Sequence, residues 1–275
     1  MRRFVCSLVG LLLVAVLVDY GTAAYAEYRV SREVRHELAL NTDPDVRITG
    51  FPFLTQVAAG GFSQVNVRAV GVSMPGLGTV SVGATLRNVT VSPSQIFGGK
   101  LNHIGVGELD SRLRISDTQL GQLLGIPDLE VSAPVADSLL GTSAGGGDGA
   151  PRSGIVLTGT VKLGGVLSRR VSVNADLALQ GGQVRIIATS LAPGTHSRET
   201  SPLALDGPFT SPVVSPGPET AIAMQKFSLT FDSTRLPFAV TPTTVHAENA
   251  DIVIEGTGTN VVLRRSPHPS LVAGP

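Results

Sequence analysis

One segment of this 275-residue chain has the residue types and spacing of a nucleophilic enzyme. Residues 141–145, GTSAG, match the G-x-S-x-G pattern that presents a serine nucleophile in hydrolases. That serine needs a buried strand before it and a helix after it. The residues that follow are GGDG, which cannot start a stable helix. We therefore predict that Ser143 is not catalytic.

A second possibility for chemistry is a pair of carboxyl groups. Glu108 and Asp110 are two residues apart on one predicted strand, so their side chains share a face, as in a general acid–base pair. Acidic pairs on strands usually face solvent, and we expect the same here. The sequence thus predicts no catalytic residue and a protein that is not an enzyme.

Metal, thiol and phosphate chemistry have little support in the sequence. The five histidines have no ligand spacing with one another or with carboxylates: His36, His103, His196, His246 and His268. No glycine-rich segment matches a phosphate-binding loop. The single cysteine, Cys6, lies near the start of the chain and excludes an intramolecular disulfide. We predict no metal site and no cofactor.

The composition indicates a β-rich protein that does not bind nucleic acid. Charged residues make up 15% of the chain and the formal net charge is zero, so no basic nucleic-acid footprint is present. Glycine, valine and threonine are abundant, and many short runs alternate between apolar and polar residues. Such alternation is typical of strands with one buried face.

The first 26 residues have the three parts of a secretory signal. Arg2 and Arg3 precede the apolar residues 4–18, and Ala24-Tyr25-Ala26 supplies small residues for cleavage after Ala26. The alternative is an uncleaved membrane anchor. The apolar run has 15 residues, whereas a spanning helix needs about 20, and a longer span would include Asp19. We predict secretion into the periplasm or cell envelope, with cleavage favoured over anchoring.

Two helices are predicted beyond this signal. In residues 27–40 the apolar residues Val30, Val34 and Leu38 recur every four positions, with charged residues on the other face. Such a helix could lie on the membrane, close a lipid groove, or pack on a sheet in the ordinary way, and we favour packing on a sheet. Ser116 is a plausible N-cap for a short second helix with leucines on its apolar face.

Two stretches around residue 60 have distinct predictions. In FPFL, residues 51–54, Pro52 has no amide donor, which favours a strand edge or turn over a helix. Val65 and Val67 then alternate with polar residues, which predicts a strand whose valines point to the apolar side.

Later in the chain, Gln180-Gly181-Gly182-Gln183 is the strongest hairpin signal.

The domain prediction is a single folded unit with two flexible loops. After the signal at residues 1–26, residues 27–264 are predicted to form one domain. Residues 141–154 are rich in glycine and residues 193–220 in proline, serine and threonine, which indicates loops. Residues 265–275 have no core-forming pattern and are predicted to be a disordered tail.

Two segments carry a resemblance to a known family. GFPFLTQ at residues 50–56, with the Gly-Gly-Phe and Val-x-Val that follow, resembles the opening signature of the LmeA-like family of actinobacterial cell-envelope proteins. LPFAVTPTTVHAENADIVIEGTG at residues 236–258 resembles the closing signature of the same family. The resemblance covers residues 28–263, nearly all of the chain after the signal.

The resemblance implies a phospholipid-binding function. One role assigned to the family is control of mannan chain elongation on lipid-anchored glycans such as lipomannan. It implies as partners a phospholipid or phosphoinositide-type lipid, the membrane surface and the envelope mannosyltransferase machinery. Our leading interpretation is a non-catalytic lipid- or lipoglycan-binding protein. The alternatives are a hydrolase or transferase acting on an envelope lipid, and a structural envelope protein with no ligand.

The expected fold class is α+β: a mostly antiparallel, strongly curved β-sheet with one or two helices packed on it and a lipid-binding groove between them. Aliphatic and small residues suit such a groove, although the same residues could fill a dry core. The candidate lipid-contacting residues are Phe51, Phe53, Leu54, Val65, Val67, Val82 and Leu86.

Overall fold

The computed structural model is an α+β fold with two antiparallel sheets, which confirms the predicted fold class. It describes residues 2–37, 39–92, 95, 103–132, 152–162, 168–192, 218–232, 240–264 and 272–273. The predicted loops lie mainly outside these residues, as does Ser143. Two edges of those loops are structured, however, because residues 152–154 begin a strand and residues 218–220 begin a helix.

The described residues form the following helices and strands. The helices are α1 (Arg2–Glu37), α2 (Phe53–Ala59), α3 (Asp117–Leu124) and α4 (Pro218–Lys226). The first strands are β1 (Asp45–Thr49), β2 (Gly61–Met74), β3 (Gly78–Thr90), β4 (His103–Ile115), β5 (Glu130–Ser132) and β6 (Arg152–Lys162). The remaining strands are β7 (Ser168–Gln180), β8 (Gln183–Leu191), β9 (Leu229–Asp232), β10 (Pro242–Glu248), β11 (Asp251–Arg264) and β12 (Val272–Ala273).

The chain divides into two compact units. The first comprises Met1–Arg114, Thr234–Thr243 and Ile254–Pro275, and the second Ile115–Ser233 and Thr244–Val253. One sheet has the order β1-β2-β3-β4-β11-β10, with β12 paired to β11. The other sheet has the order β5-β6-β7-β8-β9.

Helix α1 begins in the predicted signal and continues through Ala26 without a break to Glu37. The predicted helix at residues 27–40 is therefore the second half of a longer one. It also ends earlier than predicted, because Ala39 adopts a left-handed φ of 48° and the Leu40 amide donates to Arg35 O at 3.0 Å. This closing turn is a common way for a helix to satisfy its last carbonyls.

The second half of α1 packs along the free edge of β1. Glu27 Oε1 accepts from the Ile48 amide at 2.7 Å, and Ser31 Oγ donates to Pro44 O at 2.6 Å. Val30 and Val34 are half-buried on this side. Because an uncovered edge strand can pair with other chains, a helix against β1 protects it. This arrangement agrees with the predicted packing of the helix on a sheet.

In the second unit, the predicted hairpin connects β7 and β8. Gln180 and Gln183 are paired, and the two glycines between them have φ values of 58° and 78°. Two positive φ values in a two-residue connection match the turn whose twist suits adjacent strands, and glycine adopts them without a side-chain penalty. Local turn chemistry therefore determined this hairpin, as predicted.

Helix α3 also forms where the sequence predicted it. Ser116 Oγ accepts from the Gln119 amide at 3.2 Å, which satisfies one free donor of the first turn. Leu120 and Leu124 are buried, whereas Leu123 is only half-buried. The buried leucines of α3 therefore hold this short helix in the second unit.

Asp128, in the turn after α3, is hydrogen-bonded to β6. Its carboxylate accepts from the Thr160 hydroxyl at 2.6 Å and from the Thr160 amide at 3.0 Å. The bond from the Thr160 side chain and then that from its amide lower the pKa of Asp128, and Arg170 adds a smaller effect in the same direction. Asp128 thus extends the contact between the turn and β6 beyond the short strand β5.

We expect Asp128→Asn to lower the melting temperature at neutral pH and to have little effect in acid. A carboxyl group whose pKa is lowered by folding stabilises the fold above its unfolded pKa of about 3.9. That stabilisation is lost as pH falls through the folded value. Melting curves of both proteins measured from neutral to acidic pH test this. A difference that persists unchanged at the acidic end would contradict it.

Candidate lipid-contact site

The first sheet has one apolar face that extends across four strands. Val65 on β2 lies opposite Ile48 on β1 and Leu86 on β3, and Leu86 in turn lies opposite Leu109 on β4. Residues directly opposite in a sheet share a face. The apolar face comprises Val46, Ile48, Val65, Val67, Ala69, Val82, Ala84, Leu86, Leu109, Ser111 and Leu113.

Burial differs from one side of the apolar face to the other. Val82, Leu86 and Leu109 are buried, and Leu109 is completely inaccessible. By contrast, Ile48 and the two valines of β2, Val65 and Val67, are half-buried and keep accessible apolar surface. The accessible part of the apolar face therefore consists of Ile48, Val65 and Val67, whereas Val46, Ala69 and the β3 and β4 residues of the face belong to the core.

The one polar residue on this face is satisfied within the first unit. Ser111 is buried, and its hydroxyl donates to Gly256 O at 3.3 Å. A buried hydroxyl with a partner does not oppose the packing of apolar groups around it. Ser111 therefore adds no unpaired polar group to the buried part of this face.

The opposite face of the same strands is polar and contains the predicted acid–base pair. Arg87 donates to Asp110 at 2.8 Å and contacts Glu108 at 3.5 Å, and all three side chains are largely exposed. The two carboxylates thus share one arginine in surface ion pairs. They face away from the apolar face because successive strand residues point to opposite sides.

The segment FPFL forms a turn and the start of a helix. The prediction of a turn is correct for Phe51 and Pro52, which are joined by a cis peptide bond, but wrong for Phe53 and Leu54, which begin α2. Pro52 occupies the N-cap position and makes no side-chain bond there. The helix forms because another element supplies the missing cap.

That cap is Asp19 in α1. Its two carboxylate oxygens accept from the amides of Phe53 and Leu54, each at 2.8 Å. A carboxylate at this position satisfies free amides and interacts favourably with the helix dipole. Sequence reasoning missed this contact because the partners are 34 and 35 residues apart.

The seven candidate residues therefore occupy two places. Val65, Val67, Val82 and Leu86 share the apolar face. The other three belong to the segment around α2: Phe53 is buried and packs on Phe62 with ring centres 6.0 Å apart, whereas Phe51 and Leu54 are exposed. Ile48 was not among the candidates, although its alternation with Arg47 already indicated an apolar position.

The second unit has a separate open groove of about 380 Å³. Its lining mixes apolar and polar side chains from α3, α4 and the start of β9: Leu123, Leu124, Gln225, Lys226, Ser228 and Leu229. This volume is near the lower end of the roughly 300–1,000 Å³ of small-molecule pockets. Among the described residues, no three metal-ligating side chains converge.

One of three comparisons with known proteins gave a match. A family model described as LmeA-like phospholipid-binding matches residues 17–257, so the match includes Asp19, all of the apolar face, the first segment that carries the resemblance and all but the last residue of the second. Comparisons with curated proteins and with solved structures gave no significant match. Since the family match covers most of its length, the chain belongs to the LmeA-like phospholipid-binding family.

Proposed function

We propose that the protein holds the acyl chains of an envelope phospholipid against the accessible part of its apolar face. The observation that carries this proposal is the half-burial of Ile48, Val65 and Val67 on a face that is otherwise apolar and buried. Aliphatic side chains inside a close-packed core are fully buried by their neighbours, and these three are not. Accessible aliphatic surface at the end of a sheet, in a phospholipid-binding family, supports contact with lipid chains.

The energetic demand on such a site is large. Each methylene group removed from water contributes about 0.8 kcal/mol, so covering some fifteen methylenes contributes on the order of 12 kcal/mol. Aliphatic side chains meet this demand without adding polar groups that would lose hydration. Val82 and Leu86 would form the floor of the site, and the half-buried residues would meet the lipid.

We further propose that the protein acts without catalysing bond chemistry. The Glu108 and Asp110 carboxylates are paired with Arg87 on the polar face, on the other side of the sheet from the proposed lipid. In the periplasm, a lipid holder of this kind would assist lipid-linked mannan elongation and present the lipid to envelope mannosyltransferases. Residues 27–264 would serve this role as one domain, despite their two compact units.

Native mass spectrometry of the protein extracted from its own envelope tests the proposal. We expect a population whose extra mass equals that of a phospholipid, and lipid extraction should identify it. The lipid should dissociate as an intact molecule after incubation, since no bond is broken. Protein that is lipid-free under the mildest extraction would contradict lipid binding, and release of lipid fragments would favour the enzyme alternative.

A further inference from the structure

Asp19 makes the predicted signal a part of the folded first unit. Its side chain is only 5% exposed, and its carboxylate caps α2 through the amides of Phe53 and Leu54. Pro52, the residue at the N-cap, supplies no side-chain acceptor. Cleavage after Ala26 would remove the cap and leave the buried Phe53 without the partner of its amide.

A second contact joins the same two regions. The rings of Tyr20 and Phe51 stack with centres 6.1 Å apart and an angle of 28° between their planes. Together with the Asp19 bonds, this contact fixes one point of α1 against the start of α2. A signal sequence that is cleaved contributes no contacts to the mature fold. Because residues 19 and 20 do contribute such contacts, the structure favours retention of residues 2–26.

Before Asp19, α1 has no cover within the described residues. Nearly every apolar side chain from Phe4 to Val18 is exposed, and α1 is the one helix in the described chain long and apolar enough to cross a membrane. Arg2 and Arg3 precede this bare segment. An exposed apolar helix with positive charge at its start fits a bilayer span with that end on the cytoplasmic side.

The bare segment is too short for an ordinary span. Residues 4–18 rise about 22 Å at 1.5 Å per residue, whereas the hydrocarbon core is about 30 Å thick. Asp19 is directly after the segment and already bonded to α2. The bilayer must therefore become thinner there, or other apolar groups must enter it next to the end of the span.

Three exposed side chains stand at this position. Tyr20, Phe51 and Leu54 are 65%, 62% and 44% exposed, and we call them the interfacial patch. Tyrosine and other aromatic side chains are favoured where the hydrocarbon meets the headgroups, because one end is apolar and the other can stay hydrated. The Asp19 hydrogen bonds and the Tyr20–Phe51 contact hold this patch next to the end of the bare segment.

We propose that residues 2–26 remain attached as a membrane anchor and that the interfacial patch enters the headgroup boundary of the same bilayer. The bilayer surface is thus a binding partner separate from the lipid held on the apolar face. This inference does not depend on the proposed function, because an anchored protein with a dry apolar face would satisfy it equally.

The absence of tryptophan from the chain allows a direct test. Phe51→Trp places the variant's single tryptophan in the patch and keeps an aromatic ring beside Tyr20. The full-length variant is reconstituted in vesicles of phosphatidylcholine and phosphatidylglycerol, with and without phosphatidylcholine brominated near the carbonyl end of its chains. We expect bromine to quench most of the Phe51→Trp emission. Strong quenching would also show that the anchor is inserted, because insertion is what brings the patch to the surface of the bilayer.

Two matched variants give the limits of this measurement. Phe4→Trp lies at the start of the bare segment, next to Arg2 and Arg3, and should be quenched by the same brominated lipid, whereas Val70→Trp lies on an exposed position of β2 and should not be quenched. If Phe51→Trp behaves like Val70→Trp, the patch does not enter the bilayer and the proposal fails. If Phe4→Trp is also unquenched, the anchor itself is disproved.

Retention of the anchor is tested on the natural protein. Intact mass measured on protein extracted from the envelope membrane should include residues 2–26. A chain that begins at Glu27 would overturn the proposal, whatever lipid it carries. Native mass spectrometry of bound phospholipid remains a separate result, so failure of the anchor and failure of lipid holding can be told apart.

Discussion

We expect Phe53→Ala to lower the free energy of unfolding by about 3–5 kcal/mol, the usual effect of removing a buried aromatic ring. Phe53 is 5% exposed, packs on Phe62 and donates its amide to Asp19. Its ring therefore holds α2 on β2, and the loss leaves a cavity between them. In a chain of this size the melting temperature should fall by roughly 6–20 °C. Circular dichroism of the full chain in detergent measures it.

Phe51→Ala is the matched control, since the same ring is removed two residues away. Phe51 is mostly exposed, so its loss should change the melting temperature only slightly. In the anchored protein it should instead weaken the contact with the bilayer. Equal destabilisation by the two variants would show that Phe51 is a core residue and would contradict its place in the interfacial patch.

The contrast between these two residues shows what the sequence could reveal. Local patterns predicted β2, the hairpin at Gly181 and Gly182, and helix α3 with its Ser116 cap, because each depends on residues that are neighbours in the chain. The alternation of Val65 and Val67 likewise placed both on one side of a strand. The structure adds that this side is apolar across four strands.

What the sequence could not reveal depends on contacts between distant residues. Proline at position 52 argues against a helix only as long as no other group satisfies the first amides of that helix. Asp19 does so from 34 residues away, and α2 forms. The same contact changes the meaning of Asp19, which counts against a membrane span by composition alone but becomes a buried cap in the fold.

Burial was also beyond the sequence. Phe51 and Phe53 are the same residue type, yet one is exposed and the other buried because α2 begins between them. Among the aliphatic candidates, Val82 and Val67 have the same type and share a face, but only Val82 is fully covered. Alternation predicts on which face of a strand a side chain lies, but it does not predict whether other residues bury that face.

The accessible part of the apolar face gives the second large effect. We expect Val67→Trp to reduce the amount of bound phospholipid severalfold while the lipid-free protein keeps nearly its full melting temperature. Val67 is half-buried, so a larger ring can extend into the space on the accessible side of this residue. That volume is where we propose that an acyl chain lies. Native mass spectrometry gives the bound fraction and circular dichroism the melting temperature.

Asn66→Trp is the control, because it introduces the same ring on the adjacent residue, whose side chain lies on the polar face among Arg47 and Thr85. It should change neither lipid binding nor melting temperature by much. If Val67 instead lies in a dry, close-packed core, we expect the opposite result. Forcing a larger ring into such a core lowers the free energy of unfolding by about 1–3 kcal/mol or more. Val67→Trp with a large drop in melting temperature and unchanged lipid binding would therefore place Val67 in the core. The lipid would then have to contact a different surface.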